Sequence, residues 1–419
     1  MTTRIARSLG GIGIAAIALA VLSSHAFAGD TLTTLASLES TESGMTPSVT
    51  SGLALSGGTL YGTAYEGGPN EGATTGYGTV FSVPVAGGTA AVVASFDGTN
   101  GELPKAGLTP SGSGTLYGTT TGGGAFGYGT VFSVPIAGGA PTVLASFNLT
   151  DGVAPTGNLL LSGGTLYGTT SDAGPNGYGN VGTVFSVPTT GGTPTVLASF
   201  KGTDGAEPIG GLIRSGSTLY GTTALGGAAN LGTVFSVPIT GGTPTVLASF
   251  DLADGSAPTG NLILSGGTLY GTTVVGGLDG YSSYGTVFSV PITGGTPTVL
   301  ASFDRVDGAS PDGGLVLSDG ILYGTTQMGG TLDVGAVFSV PITGGTPTVL
   351  ASFGVAGSGE LPVSGLILSG GNLYGATQFG GSHNSGTVFE ISTPEPTAWA
   401  LLAVSAGSVL LLRRRRVRA

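Results

Sequence analysis

The sequence predicts an all-β fold, a seven-bladed β-propeller of four-stranded blades, closed by an N-terminal strand that completes the last blade. Three observations predict it. First, Leu-Tyr-Gly recurs at Leu60, Leu116, Leu166, Leu219, Leu269, Leu322 and Leu373, and a repeat of about 51 residues belongs to the solenoids and propellers. Second, each unit carries four short runs rich in Val, Thr, Tyr, Phe and Leu, each bounded by Gly or Pro, and none has helical period. Third, the repeat is split across the chain. A segment of the type Val-Leu-Ala-Ser-Phe ends at Phe96, Phe147, Phe200, Phe250, Phe303 and Phe353, and its remaining copy is Leu35-Ala36-Ser37-Leu38 at the other end. Such a split suits a ring that closes on itself and gains nothing in an open solenoid, which needs capping units instead.

The elements follow in chain order. Arg4 and Arg7 precede an apolar run from Leu9 to Leu22 and then Ala26-Phe27-Ala28, so residues 1–28 read as a signal peptide cleaved after Ala28. The propeller is expected over residues 29–393. Its first strand, near Thr31 to Leu38, is the outermost (D) strand of blade 7, expected to pair with Thr387 to Ile391. Each later unit supplies strands A to D. In the unit that begins at Pro258 these are Leu262 to Ser265, Thr268 to Thr273, Thr286 to Val290 and Thr298 to Phe303. The 83 glycines would suggest low complexity, but each cluster returns at the same phase.

Residues 394–419 form a separate tail. It runs Pro394-Glu395-Pro396, an apolar stretch over 397–412 that reads as a transmembrane segment, and an Arg-rich end over 413–419. This order resembles the PEP-CTERM sorting signal of Gram-negative bacteria. The resemblance implies an exosortase-type partner, export to the cell envelope, outer surface or medium, and membrane contact only through this segment. A simple tail anchor gives the same topology. The repeats resemble the GloVer tandem-repeat family, carried by Leu-Tyr-Gly-Thr-Thr at Leu269 to Thr273 and Gly-Thr-Val-Phe-Ser at Gly285 to Ser289. That family consists of exported bacterial proteins defined by repeat and anchor, so it implies location rather than chemistry. Kelch repeats share the period, but their aromatic pattern is missing, since the sole Trp is Trp399.

Composition excludes several functions. Outside the two ends the basic residues are Lys105, Lys201, Arg214 and Arg305, in a chain with 22 acidic residues, so no basic patch for nucleic acid can be assembled. There is no cysteine, and stability must come from packing alone. After removal of the signal the remaining His is His383, which leaves no His-rich zinc site. No metal site and no cofactor are expected. The chain is expected not to be an enzyme. The alternative is a carbohydrate-active propeller enzyme using paired carboxylates, for which no pair is singled out.

Spacing locates the candidate binding face. From the Gly of Gly-Thr-Val-Phe to the end of the D strand the interval is 18 in all six complete units, as from Gly182 to Phe200. From Tyr to that Gly it is 17, 12, 15, 12, 15, 12 and 12, so length variation concentrates in the B–C loops of blades 1, 3 and 5. These loops carry the candidate ligand-binding residues Asn70, Glu71 and Tyr77; Asp172, Asn176 and Tyr178; and Asp279, Tyr281 and Tyr284. Insertions on one face of a repeat protein mark a binding face, with neutral drift as the bland alternative. Tyr beside amide and carboxylate groups suits sugar rings, so polysaccharide is the expected ligand class. The D–A loop carries Gly-x-x-Pro in every unit, preceded by Ser, Asn or Asp. This reads as a capped turn rather than a ring of calcium ligands. The seven Tyr of Leu-Tyr-Gly are expected to pack between blades.

Overall fold

The structure is a computed structural model that describes residues 31–38, 52–68, 76–175, 179, 181–277, 284–363 and 365–392. Among them every regular element is a β-strand, and the strands form seven sheets in a ring, the predicted propeller. Blade 4 is representative. Its strands A to D are Ile213–Ser215, Thr218–Thr223, Thr233–Pro238 and Thr245–Ser249, each antiparallel to the next. Blades 3 and 7 add a short extra strand, Val153–Pro155 and Glu360–Pro362, beside an extended B strand. The expected cleavage site at Ala28, the sorting motif Pro394, Glu395 and Pro396, and the apolar stretch over 397–412 lie outside the described residues. No helix among the described residues is long and apolar enough to cross a membrane.

Period-two alternation explains the core. In Thr-Leu-Tyr-Gly the Leu faces one neighbouring blade and the Tyr the other; in Thr-Val-Phe-Ser-Val the first Val opposes Phe and the second Val. The joint between blades 3 and 4 buries Tyr167, Val184, Ala198 and Phe200 from one side and Leu212, Leu219, Phe235 and Val237 from the other. The same eight positions recur at the joints before and after it. Phe200 meets Phe235 edge to face, with ring centroids 4.9 Å apart at 73°, the geometry favoured by the ring quadrupoles. Six joints carry this pair. The Tyr of Leu-Tyr-Gly is therefore a core residue, as expected.

The Gly of Leu-Tyr-Gly has a steric cause. Gly221 lies opposite Phe235 in register, and a Cβ there would come within 2.7 Å of the ring. The Gly of Gly-Thr-Val-Phe has a different one. Gly232 turns at φ +106°, and the ring of Pro258, from the next Gly-x-x-Pro loop, lies where its Cβ would be. The two motifs recur together because they pack on each other.

Closure follows the split repeat. Leu32–Ser37 pairs antiparallel with Thr387–Ser392, from Leu32 opposite Ile391 to Ser37 opposite Thr387. The pairing shifts at Leu35, the bulge that the other D strands carry at the same phase. At the next joint Leu38, rather than Phe, packs against Phe81.

Candidate functional site

The residues that lead into the A strands meet their counterparts in neighbouring blades. A Cβ on Gly107 would strike the Gly52 carbonyl, and one on Gly260 the Gly313 carbonyl. The A strands therefore surround the axis, and two asparagines join the rim. Asn158 Oδ1 accepts from Gly107 N–H at 2.7 Å, and Asn261 Oδ1 from Gly211 N–H at 2.6 Å.

The B–C and D–A loops share one face, as the meander requires, and they are stitched together. The Ser310 N–H donates to the Tyr284 carbonyl at 2.8 Å, and the Leu103 N–H to the Tyr77 carbonyl at 3.0 Å. The turn reading of the D–A loop holds: Asp251 N–H donates to Asp254 Oδ1 while Asp254 N–H donates to Asp251 Oδ1. Asn100, Asp204 and Asp307 accept in the same way. Burial raises Asp254 and Asp307 to about 6.

The short B–C loops share one built turn. Gly127, Asn230, Asp333 and Asn384 occupy the same position in blades 2, 4, 6 and 7, all in the left-handed region. The side chains of Asn230, Asp333 and Asn384 each accept from the N–H of Gly226, Gly329 and Gly380. This turn fixes a 12-residue spacing, and the longer loops of blades 1, 3 and 5 depart from it. Of the nine candidate residues, Asn70, Glu71, Asn176, Tyr178, Asp279 and Tyr281 lie outside the described residues. Tyr77 is half-buried and packs against the joint between blades 1 and 2. Asp172 ends the extended B strand of blade 3 and its Oδ1 accepts from Ala173 N–H at 2.6 Å. Tyr284 is exposed, with the Arg305 guanidinium 6.0 Å from its ring centroid.

Sequence reasoning missed Arg305 and its partner. Arg305 forms a two-pronged salt bridge with Asp333, a residue of the blade 6 turn. Asp333 and Tyr284 raise the guanidinium further above its ordinary value, and Arg305 holds the Asp333 carboxyl low. Tyr284, Arg305 and Asp333 thus link blades 5 and 6 across the candidate face. The available signal was scarcity, since Arg305 is one of four basic residues outside the ends.

A second cluster lies nearer the axis. Asp312 is buried, accepts from Thr259 Oγ1, and accepts from Gln327 Nε2 at 2.9 Å; burial pushes its carboxyl up against those two hydrogen bonds. Across the ring, Lys105 Nζ stands 5.0 Å from the Tyr65 ring centroid. Burial raises the Tyr65 phenol, with Glu66 and Glu102 adding to the effect. The face offers aromatic rings, carboxylates, a guanidinium and side-chain amides, a set suited to a polar, hydroxyl-rich ligand.

The Gloeobacter/Verrucomicrobia repeat matches residues 20–181 and 180–389. No curated protein matches the sequence. Among solved structures, a puromycin hydrolase has a TM-score of 0.50 at 13% identity, covering 84% of this chain and 55% of that one. A puromycin-hydrolyzing peptidase from Mycobacterium tuberculosis has a TM-score of 0.47 at 13% identity, covering 81% and 53%. A chain from Bacteroides uniformis named as a 6-phosphogluconolactonase has a TM-score of 0.45 at 16% identity, covering 82% and 97%. At such identity the likeness is one of fold alone. It corrects one expectation. A propeller of this shape, the puromycin hydrolase, is named as an enzyme, so the expectation that this chain is not an enzyme, drawn from the missing catalytic constellation, is withdrawn.

Proposed function

The chain belongs to the Gloeobacter/Verrucomicrobia repeat family, and we propose that it is an exported propeller whose B–C loop face binds polysaccharide. The carrying observation is the contrast on that face. Four blades share one left-handed turn at the 12-residue spacing, closed by a side-chain hydrogen bond in blades 4, 6 and 7, while blades 1, 3 and 5 carry longer loops with Tyr, Asn and acidic side chains. Tyr284, exposed and flanked by Arg305, offers a stacking surface with a charged donor beside it. Sugar rings present apolar faces and hydroxyls that such a pair can meet. In this reading export follows from residues 1–28, and sorting by an exosortase-type enzyme follows from Pro394-Glu395-Pro396, so Glu395→Ala should leave the tail unprocessed in the membrane fraction.

The test is a glycan array, with product release followed on every binding glycan. Trimming the loops of blades 1, 3 and 5 to the 12-residue spacing should preserve the thermal midpoint and weaken binding at least tenfold. Undiminished binding by the trimmed protein would place the site elsewhere on the ring.

A further inference from the structure

Sibling blades show what the scaffold requires, so a joint that departs from them points to work other than folding. Between blades 1 and 2 the B strand ends at Ala64, and the next residue, Tyr65, meets Lys105, which follows the Pro of the Gly-x-x-Pro loop of blade 2. Lys105 Nζ stands 5.0 Å from the Tyr65 ring centroid. The Thr63 hydroxyl ties the two segments by donating to the Ala106 carbonyl at 3.0 Å. Thr169 holds the Gly210 carbonyl in the same way between blades 3 and 4. The backbone frame is shared, and the side chains differ. The same two places hold Thr121 and Thr156 one joint on, and Ala224 and Thr259 between blades 4 and 5. Among the described residues no other joint sets an aromatic ring and a basic side chain at these two places.

Two carboxylates complete the cluster. Glu66 follows Tyr65, and Glu102 precedes Lys105 in the same loop. The Glu102 backbone pairs with Gly122 in both directions, at 2.9 and 3.1 Å. Its carboxylate lies against that glycine, with Oε1 2.6 Å from where a Cβ would stand. Gly122 is not in the left-handed region, so its missing side chain makes room for Glu102 rather than for a turn. Burial raises the Tyr65 phenol and both carboxylates raise it further, so both stand near it. All four side chains are half-buried. Gathering ionisable groups partly out of water costs stability. Blades 3, 4 and 6 fold with Val153, Ala206 and Ala309 at the place of Glu102, although blade 7 carries Glu360 there. Packing therefore does not require this cluster.

We infer that Tyr65, Glu66, Glu102 and Lys105 form a subsite for one neutral sugar unit, held through adjacent hydroxyls, a role that rests on the polysaccharide-binding reading above. A sugar hydroxyl both donates and accepts. One hydroxyl donates to a Glu carboxylate while its neighbour accepts from the Lys105 ammonium, and both hydrogen bonds are charge-assisted. Tyr65 supplies an aromatic surface for the C–H groups of the sugar ring. With two carboxylates to one ammonium the cluster is net negative, which disfavours uronic acid and sulfated units. The ammonium in turn disfavours a cationic amino sugar.

The test titrates the full chain with neutral gluco-, manno- and galacto-oligosaccharides, beside oligouronates and amino-sugar oligomers. Tyr65→Thr, Glu102→Ala and Lys105→Thr give each place the residue that a sibling blade carries there, as Thr121, Ala206 and Thr156. Their thermal midpoints should therefore stay within about 2 °C of the parent's. Each substitution should weaken binding of the neutral oligosaccharide by about tenfold or more. Lys105→Arg keeps a charged donor and should retain most of the affinity. Parental affinity in the three variants, with the neutral oligosaccharide still bound, overturns the subsite and leaves the polysaccharide reading standing. Tightest binding to a charged oligosaccharide of either sign overturns the choice of a neutral unit. Binding to none of them, and to no glycan on the array, ends both readings.

Discussion

Ala336 breaks a pattern that five blades keep. The last Thr of Leu-Tyr-Gly-Thr-Thr and the Thr of Gly-Thr-Val-Phe share a buried hydrogen bond, at 2.8 Å for Thr120 with Thr130, Thr170 with Thr183, Thr223 with Thr233 and Thr273 with Thr286, and 2.9 Å for Thr377 with Thr387. In blade 6 the second position is Ala336, and the Thr326 hydroxyl is buried without a partner. Restoring the partner recovers an interaction of about 1 kcal/mol, so Ala336→Thr should raise the unfolding free energy by that order. A denaturant midpoint that stays put or falls contradicts this. Titration acts at the same scale. Asp254 and Asp307 sit at about 6 because burial disfavours their charged form, and burial also raises Asp151 and Asp312. In the unfolded chain these groups titrate near 4. Between pH 4 and 6 the folded protein holds protons that the unfolded chain has released. The stability these raised carboxyls contribute is therefore fully present below the unfolded value and is lost as pH rises through 6. The thermal midpoint should rise as pH is lowered from 7 to 5, since Asp97 and Asp333, which are held low, titrate below that window. A flat or falling midpoint over this range refutes it.

Within a blade, the B–C hairpin carries the tightest constraint. The phenyl ring opposite the Gly of Leu-Tyr-Gly lies across the backbone of the B strand, and no methyl group fits beneath it. Gly221→Ala must move Phe235, which is fully buried against blade 3. Overpacking of this kind costs about 1–3 kcal/mol. The loss should appear as a lower denaturant midpoint, while Gly242→Ala, where no core atom lies near, tests the separate cost of a glycine-only φ. If Gly221→Ala unfolds at the parental midpoint, the ring is not the constraint. The D–A loop stores strain of another sort. Leu103, Ala154, Glu207, Ala257, Ser310 and Leu361, each just before the Pro of Gly-x-x-Pro, all lie in the left-handed region. Tertiary hydrogen bonds hold them there, such as that from Ser310 N–H to the Tyr284 carbonyl.

At the scale of the ring, seven joints repeat but two are altered. The joint between blades 6 and 7 lacks its turn, and that between blades 7 and 1 has Leu38 where the other six have Phe. Leu38 contacts the same partners, Leu53, Leu60 and Phe81, that Phe200 meets as Leu212, Leu219 and Phe235. Leu38→Phe should therefore fit, adding an edge-to-face pair worth about 0.5–1.5 kcal/mol beyond its buried area. Thermal unfolding should shift upward. A downward shift would mean that the closing joint is narrower than its siblings.

Much of this architecture was legible before any coordinates. The repeat of Leu-Tyr-Gly and Gly-Thr-Val-Phe set the strand count and order, period two set which side chains face each neighbour, and the displaced Leu35-Ala36-Ser37-Leu38 set the closure and its partner strand. These are local patterns, and a strand's alternation and spacing survive in the sequence unchanged. The candidate face was legible as loop lengths, but its chemistry was not. Arg305 reaching from the D–A loop to Asp333 in a B–C loop, and Asp312 between Thr259 and Gln327, join segments of separate strands or blades. Only the ring's geometry decides those meetings, because the angle between blades, not the spacing along the chain, brings their atoms within reach.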